Sequence, residues 1–229
     1  MSALYIELLK RSLLGEVPVS SLARHERGYC HDAVTMIGRE RLDNLHDAVE
    51  SVIDDGVPGH LIETGVWRGG ACILMRGILK ARDVTDRNVY VADSFTGLPW
   101  PDSAAYPLDK DDNHHQIPDL AVSEDTVRKN FEAYGLLDDS VKFVKGWFKD
   151  TLHRLDGPFA VIRLDGDMYG STIEAMNALY PKLSPGGVCI VDDYSLARCC
   201  AAITDYRAKH DIAAPIHRID WAGAYWRKP

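Results

Sequence analysis

From residue 40 onward the chain alternates helix-period stripes with short apolar runs, and this alternation limits the possible folds more than any other feature. Leu42, Leu45, Val49, Val52 and Ile53 share one helical face, closed by Gly56-Val57-Pro58-Gly59. The run His60-Leu61-Ile62-Glu63-Thr64-Gly65 follows, then a helix carrying Cys72, Ile73, Met75, Ile78 and Leu79. Segments 88–93, 141–144, 159–164 and 187–191 read as further strands. Ser123, with Glu124 and Asp125 behind it, opens a helix near 123–135. Ser171-Thr172-Ile173-Glu174 has the form of a capping box, opening a helix with Ile173, Met176, Leu179, Tyr180 and Leu183 inward. A last helix covers about 197–209, and two short strands lie near 216–219 and 223–227. Parallel neighbours need long crossovers, so strands alternating with helices mean a doubly wound, mostly parallel α/β sheet. Several strands are unbroken apolar runs, as expected when helices cover both faces. Ligands of such sheets bind beyond the C-terminal ends of the strands.

Residues 1–39 stand apart from this alternation as an expected N-terminal helical segment, leaving 40–229 as one domain. Leu4, Leu8, Leu9 and Leu13 repeat at helical spacing with Glu7, Lys10 and Arg11 between them, which reads as a docking helix and not as a signal peptide. Composition removes some partners. With 26 Lys plus Arg against 34 Asp plus Glu, a formal charge of -8, the chain lacks the basic excess that neutralises nucleic-acid phosphates. No apolar run approaches the roughly 20 residues of a membrane span. The five cysteines, at 30, 72, 189, 199 and 200, form no C-x-x-C pair and read as small buried thiols in a reducing compartment. A soluble, cytoplasmic protein is expected.

The residues just past each strand carry the chemistry. Glu63-Thr64-Gly65-Val66-Trp67-Arg68-Gly69-Gly70 is a G-x-x-x-G-G turn, unlike the pyrophosphate loop G-x-G-x-x-G or a P-loop. It suits a ligand with a cationic or hydroxyl-bearing part, although a plain strand-to-helix turn would look similar. Asp93-Ser94-Phe95 places an acid about 30 residues on, where carboxylates bind a ribose diol. Asp165-Gly166-Asp167 and Asp192-Asp193-Tyr194 end two consecutive strands. Four converging carboxylates repel one another unless a cation joins them. An oxygen-only donor set favours a hard ion such as Mg²⁺, the bland alternative being separate caps and turn acids. Residues 96–120 hold four prolines with Asp109, Asp111, Asp112, His114 and His115, and read as a lid over the site or as a disordered loop.

With Thr35-Met36-Ile37-Gly38, Tyr134-Gly135-Leu136-Leu137, Gly146-Trp147-Phe148-Lys149-Asp150-Thr151 and Leu183-Ser184-Pro185-Gly186-Gly187, these segments resemble the macrocin O-methyltransferase family, in its order and over nearly the whole chain. The likeness is to enzymes that methylate deoxysugars of mycinamicin- and tylosin-type macrolides. It implies a class I, Rossmann-like methyltransferase fold with a seven-stranded sheet whose last strand is antiparallel. It implies S-adenosylmethionine held by Glu63, Gly65, Asp93 and Ser94, with Thr35, Met36, Gly146, Trp147 and Phe148 lining the same pocket. Mg²⁺ would be held by Asp165, Asp192 and Asp193, with Asp167 as general base. It also implies a homo-oligomer supported by the N-terminal helical region. The chemistry agrees with the residues, because a divalent cation acidifies an alcohol and a second carboxylate can take its proton. The expected acceptor is a small glycosylated molecule; a catechol, which also offers two adjacent oxygens, is the alternative within methyl transfer. A nicotinamide-dependent oxidoreductase would want the missing pyrophosphate loop, a metal-dependent hydrolase would not need Glu63 and Asp93, and a binding module has no use for four converging acids.

Overall fold

The computed structural model describes residues 2–16 and 33–229. Helices α1 (Ser2–Leu13) and α2 (Arg39–Asp54) precede β1 (His60–Thr64), α3 (Gly70–Ala81) and β2 (Val89–Asp93). After a long connection come α4 (Glu124–Ala133), β3 (Val141–Lys145), the single turn α5 (Phe148–Thr151) and β4 (Phe159–Leu164). The chain closes with α6 (Tyr169–Leu179), β5 (Leu183–Val191), α7 (Ala197–Lys209), β6 (His217–Arg218) and β7 (Ala224–Arg227). The strands form one sheet in the order β3-β2-β1-β4-β5-β7-β6. Strands β1 to β5 pair in parallel, and β7 runs antiparallel between β5 and β6. Both the doubly wound sheet and its antiparallel last strand agree with the sequence.

Period-two alternation divides the core into two layers. Leu61, Val161, Val188 and Ile190 face α1 to α4, whereas Ile62, Ile162, Cys189 and Val191 face α6 and α7. Each such side chain contributes about 1.5–3 kcal/mol by leaving water. Cys72, Cys189 and Cys199 are buried, Cys200 is half-buried, and Cys30 lies outside the described residues.

Three local expectations change. Helix α1 docks on α3 within the same chain, but through Ile6, Leu9 and Leu13, leaving Leu4 and Leu8 exposed. The reason is Gly77 of α3: a Cβ there would stand 2.4 Å from Leu9 Cδ2, so the bare backbone fixes which leucines enter. Strand β5 begins at Leu183, earlier than residue 187, because a register shift between Phe159 and Val161 absorbs the Pro-Gly-Gly segment. Helix α6 starts at Tyr169, so Ser171 lies inside its first turn and no capping box forms. Its leading N–H groups are satisfied instead by Asp109, 60 residues upstream.

Strand order reverses between β1 and β4, which face each other at the sheet centre. The C-terminal ends of β1, β2, β4 and β5 therefore open on one crevice.

Candidate active site

The floor of the crevice is built by backbone turns. Gly65 leaves β1 with φ +82, and a Cβ there would sit 1.7 Å from the Asp165 carbonyl oxygen, so only glycine lets β1 and β4 end side by side. Asp93 accepts from the Val66 N–H at 2.8 Å and from the Phe95 N–H at 2.7 Å, fastening the glycine turn to the end of β2. The Gly146 N–H donates to the Asp93 carbonyl at 2.9 Å and draws the β3 end alongside. Trp67, Phe95 and Asp167, in the turns past β1, β2 and β4, have φ of 48, 59 and 55. Left-handed backbone is costly for non-glycine residues and gathers at functional sites.

These turns enclose a cavity of about 340 Å³ bordered by Met36, Gly65, Asp93 and Ser94. Trp147, Phe148, Asp165 and Asp167 border it as well. Thr35, Glu63 and Gly146 do not border it. Thr35 is buried against Gly70 at the start of α3, and Glu63 accepts from the Cys72 thiol at 2.9 Å and from Arg163. The structure thus gathers six of the nine expected cofactor residues on the cavity and leaves Thr35, Glu63 and Gly146 off its lining.

Carboxylate oxygens of Asp165, Asp167 and Asp193 lie within 4.8 Å of one another, and the Asp167 N–H donates to Asp193 Oδ2 at 3.2 Å. Burial, then the neighbouring Asp165 charge, pushes Asp167 up to about 7. Burial, then Asp167, pushes Asp193 up to about 8, and Asp165 is raised far above the usual carboxylate range by burial and by Asp192. Ligand oxygens around one Mg²⁺ lie about 3–4 Å apart, so small side-chain rotations would seat a hard divalent ion, which would also relieve this repulsion. Asp192 is set deeper. Its Oδ1 accepts from Arg163 and its Oδ2 from Arg41 at 2.5 Å. A carboxylate oxygen has two lone pairs, so Asp192 can share an oxygen between an arginine and a metal.

Residues 97–120 roof the cavity through Leu98, Pro99, Trp100, Tyr106, Asp109 and Leu120. Asp109 receives the Tyr169 and Gly170 N–H groups, both at 2.8 Å, and the Tyr106 hydroxyl donates to Glu174 at 3.0 Å. Arg198 donates to the carbonyls of Leu108 and Lys110, and Trp67 Nε1 donates to the carbonyl of Asp119 at 2.8 Å. The segment is a fastened roof organised in 3₁₀ turns at Pro107–Asp109, His114–Gln116 and Pro118–Leu120.

Sequence reasoning placed Asp109 in the lid without its tie to the 169–179 helix, and passed over Arg41 and Arg163. Only Arg163 left a signal, as the one charge inside the apolar run 159–164.

Residues 19–228 match the family model described as Macrocin-O-methyltransferase (TylF). The chain belongs to the macrocin O-methyltransferase family. Among its members, a mycinamicin III 3''-O-methyltransferase of Micromonospora griseorubida is 48% identical across 98% of this chain and 96% of that protein. A demethyldecarbamoylnovobiocin O-methyltransferase of Streptomyces niveus is 48% identical across 99% of this chain and 94% of its own length. The solved structure of the O-methyltransferase NovP superposes with a TM-score of 0.94 at 48% identity, covering 100% of this chain and 99% of that one. As a macrocin O-methyltransferase family member the chain is an O-methyltransferase, and the family implies S-adenosylmethionine as methyl donor. The cavity suits that donor: apolar and aromatic walls for a nucleoside, and acids among its lining for a diol and a cationic sulfonium. Among the described residues no helix is long and apolar enough to cross a membrane.

Proposed function

We propose that this enzyme transfers the methyl group of S-adenosylmethionine to a hydroxyl of a deoxysugar on a macrolide-like natural product, with a hard divalent cation, Mg²⁺, at the acid cluster. The observation that carries this reading is one cavity lined by Asp93, Asp165 and Asp167, with a carboxylate oxygen of Asp193 within 4.8 Å of those of Asp165 and Asp167. The relatives' names support it, since they describe O-methylation of mycinamicin III, of a novobiocin precursor and, in Streptomyces olivaceus, of a rhamnosyl-tetracenomycin.

The donor supplies an electrophilic methyl group, and the cation, when bound, makes an alcohol a stronger acid. In this reading Asp165, Asp192 and Asp193 hold the cation, Asp192 while remaining paired to its arginines. Asp93 holds the ribose, with Gly65, Ser94, Met36, Trp147 and Phe148 around the rest of the donor. Glu63, Thr35 and Gly146 act by fixing the turns that carry these groups. Asp167 takes the acceptor proton, the burial that disfavours its charged form making it a stronger base than an exposed carboxylate. The roof excludes water while acceptor and donor are held in line, where most of the rate gain from orientation arises. Transfer of a labelled methyl group to hydroxylated glycosides, compared with catechols, and binding of S-adenosylmethionine compared with NAD, test the reading. Label on a catechol alone, or binding of NAD alone, would replace it.

A further inference from the structure

Arg163 is the single charge in β4 and is almost completely buried, at 1% exposure. A guanidinium is expensive to remove from water and is kept inside only where acids surround it. Parallel pairing sets Glu63 of β1 opposite Arg163, and Leu164 opposite Val191 of β5. Asp165 and Asp192 therefore leave their strands side by side, each held by a backbone bond of 2.9 Å, from the Asp165 N–H to Thr64 and from the Asp192 N–H to Leu164. The fork of Arg163 meets all three acids: Nη1 donates to Glu63 and, at 2.9 Å, to Asp165 Oδ2, while Nη2 donates to Asp192 Oδ1. Arg41 of α2 completes the frame. Its Nη1 donates to the other Asp192 oxygen, and its Nε lies 3.0 Å from Asp220 Oδ2 in the turn before β7.

We infer that Arg163, assisted by Arg41, is a positioning residue for the cation: a two-pronged frame that fixes the carboxylates of Asp165 and Asp192 at the ends of neighbouring strands, so that little rearrangement is needed to seat one divalent ion. The inference rests on the proposed cation site and deepens it. A planar fork holds two acids at a set separation, which a lysine ammonium of the same charge cannot do. A carboxylate oxygen has lone pairs beyond the one that accepts from the guanidinium, and an oxygen of Asp165 lies within 4.8 Å of oxygens of Asp167 and Asp193. Residues that orient ligating carboxylates typically change metal affinity when replaced.

Mn²⁺, a paramagnetic stand-in for Mg²⁺, is titrated into the full-length wild-type and Arg163→Lys proteins and followed by electron paramagnetic resonance. Far-UV circular dichroism and calorimetric affinity for S-adenosylmethionine without metal report on the fold and on the donor pocket. Arg163→Lys is expected to keep both of these readouts and to bind Mn²⁺ about tenfold or more weakly. A folded variant with wild-type Mn²⁺ affinity overturns the inference. If Arg163→Lys loses its fold, Arg41→Lys carries the test from the outer side of Asp192: weaker Mn²⁺ binding supports the frame and unchanged binding overturns it. A wild-type protein that binds S-adenosylmethionine but no Mn²⁺ refutes the cation site itself, and the frame falls with it.

Discussion

Asp167 concentrates the account at the scale of single residues. It stands in left-handed backbone at φ 55, its own N–H is tied to Asp193, and burial beside Asp165 sets its pKa near 7. Replacing it by Asn keeps size and turn but removes the proton acceptor. Asp167→Asn is expected to bind S-adenosylmethionine and Mg²⁺ close to wild type while kcat falls about 10²-fold or more, the usual scale for a lost general base. Calorimetry together with single-turnover kinetics checks both halves, and a wild-type rate would remove Asp167 from the mechanism. The positions of Asp93, Asp165, Asp167, Asp192 and Asp193 were legible in the sequence because Asp93, Asp165 and Asp192 directly follow apolar runs of strand length and Asp167 and Asp193 come just behind them. The role of Arg163 was not, because two of its three acid partners lie 100 and 29 residues away and meet it only through the register of three strands. The partners of Glu63 were hidden for the same reason: the sequence puts it at a strand end, and the pleat turns it toward Arg163 and Cys72.

Elements are joined at the site by side chains that act across long loops. The start of α6 is capped by Asp109 of the roof, so the roof and the turn carrying Asp165 and Asp167 are one mechanical unit. Asp109→Ala is expected to destabilise the fold by about 1 kcal/mol, as for other lost caps, and to speed hydrogen exchange in residues 97–120. Thermal unfolding and exchange mass spectrometry read these effects, and an unchanged roof would separate it from α6. Local pattern pointed to a capping box at Ser171 because short-range motifs cannot register a carboxylate 60 residues upstream. On the other side of the molecule, Arg76 of α3 donates three bonds to Asp138, just before β3, and the bonding holds the Asp138 carboxyl below its usual range. A lowered folded-state pKa means that its stabilisation is fully present above the unfolded value of about 3.9 and fades as pH falls through the folded value. Asp138→Asn should therefore lower stability at pH 7 by about 1 kcal/mol, the low end for a charged pair that solvent screens, and flatten the acid limb of the stability curve. Denaturation at pH 7 and pH 3 checks this; an equal loss at both would contradict it.

Over the whole molecule, the excess of acid is distributed with a purpose. The formal charge of -8 argued against nucleic acid, and the fold brings several of those acids to one crevice and frames them with Arg163 and Arg41. The doubly wound, mostly parallel sheet and the crevice beyond its strand ends followed from alternation, since parallel strands with crossover helices leave few topologies. The packing of α1 and the fastening of the roof depended on which side chains meet in three dimensions. The central claim is methyl transfer to a sugar hydroxyl that needs a cation at the acid cluster. Its most direct test incubates the enzyme with trideuteromethyl S-adenosylmethionine and a deoxysugar-bearing macrolide, with Mg²⁺ or with EDTA, followed by mass spectrometry of the product. The account predicts one labelled methyl group on a sugar oxygen with Mg²⁺ and none with EDTA; equal labelling under both conditions, or label on any other group, would contradict it.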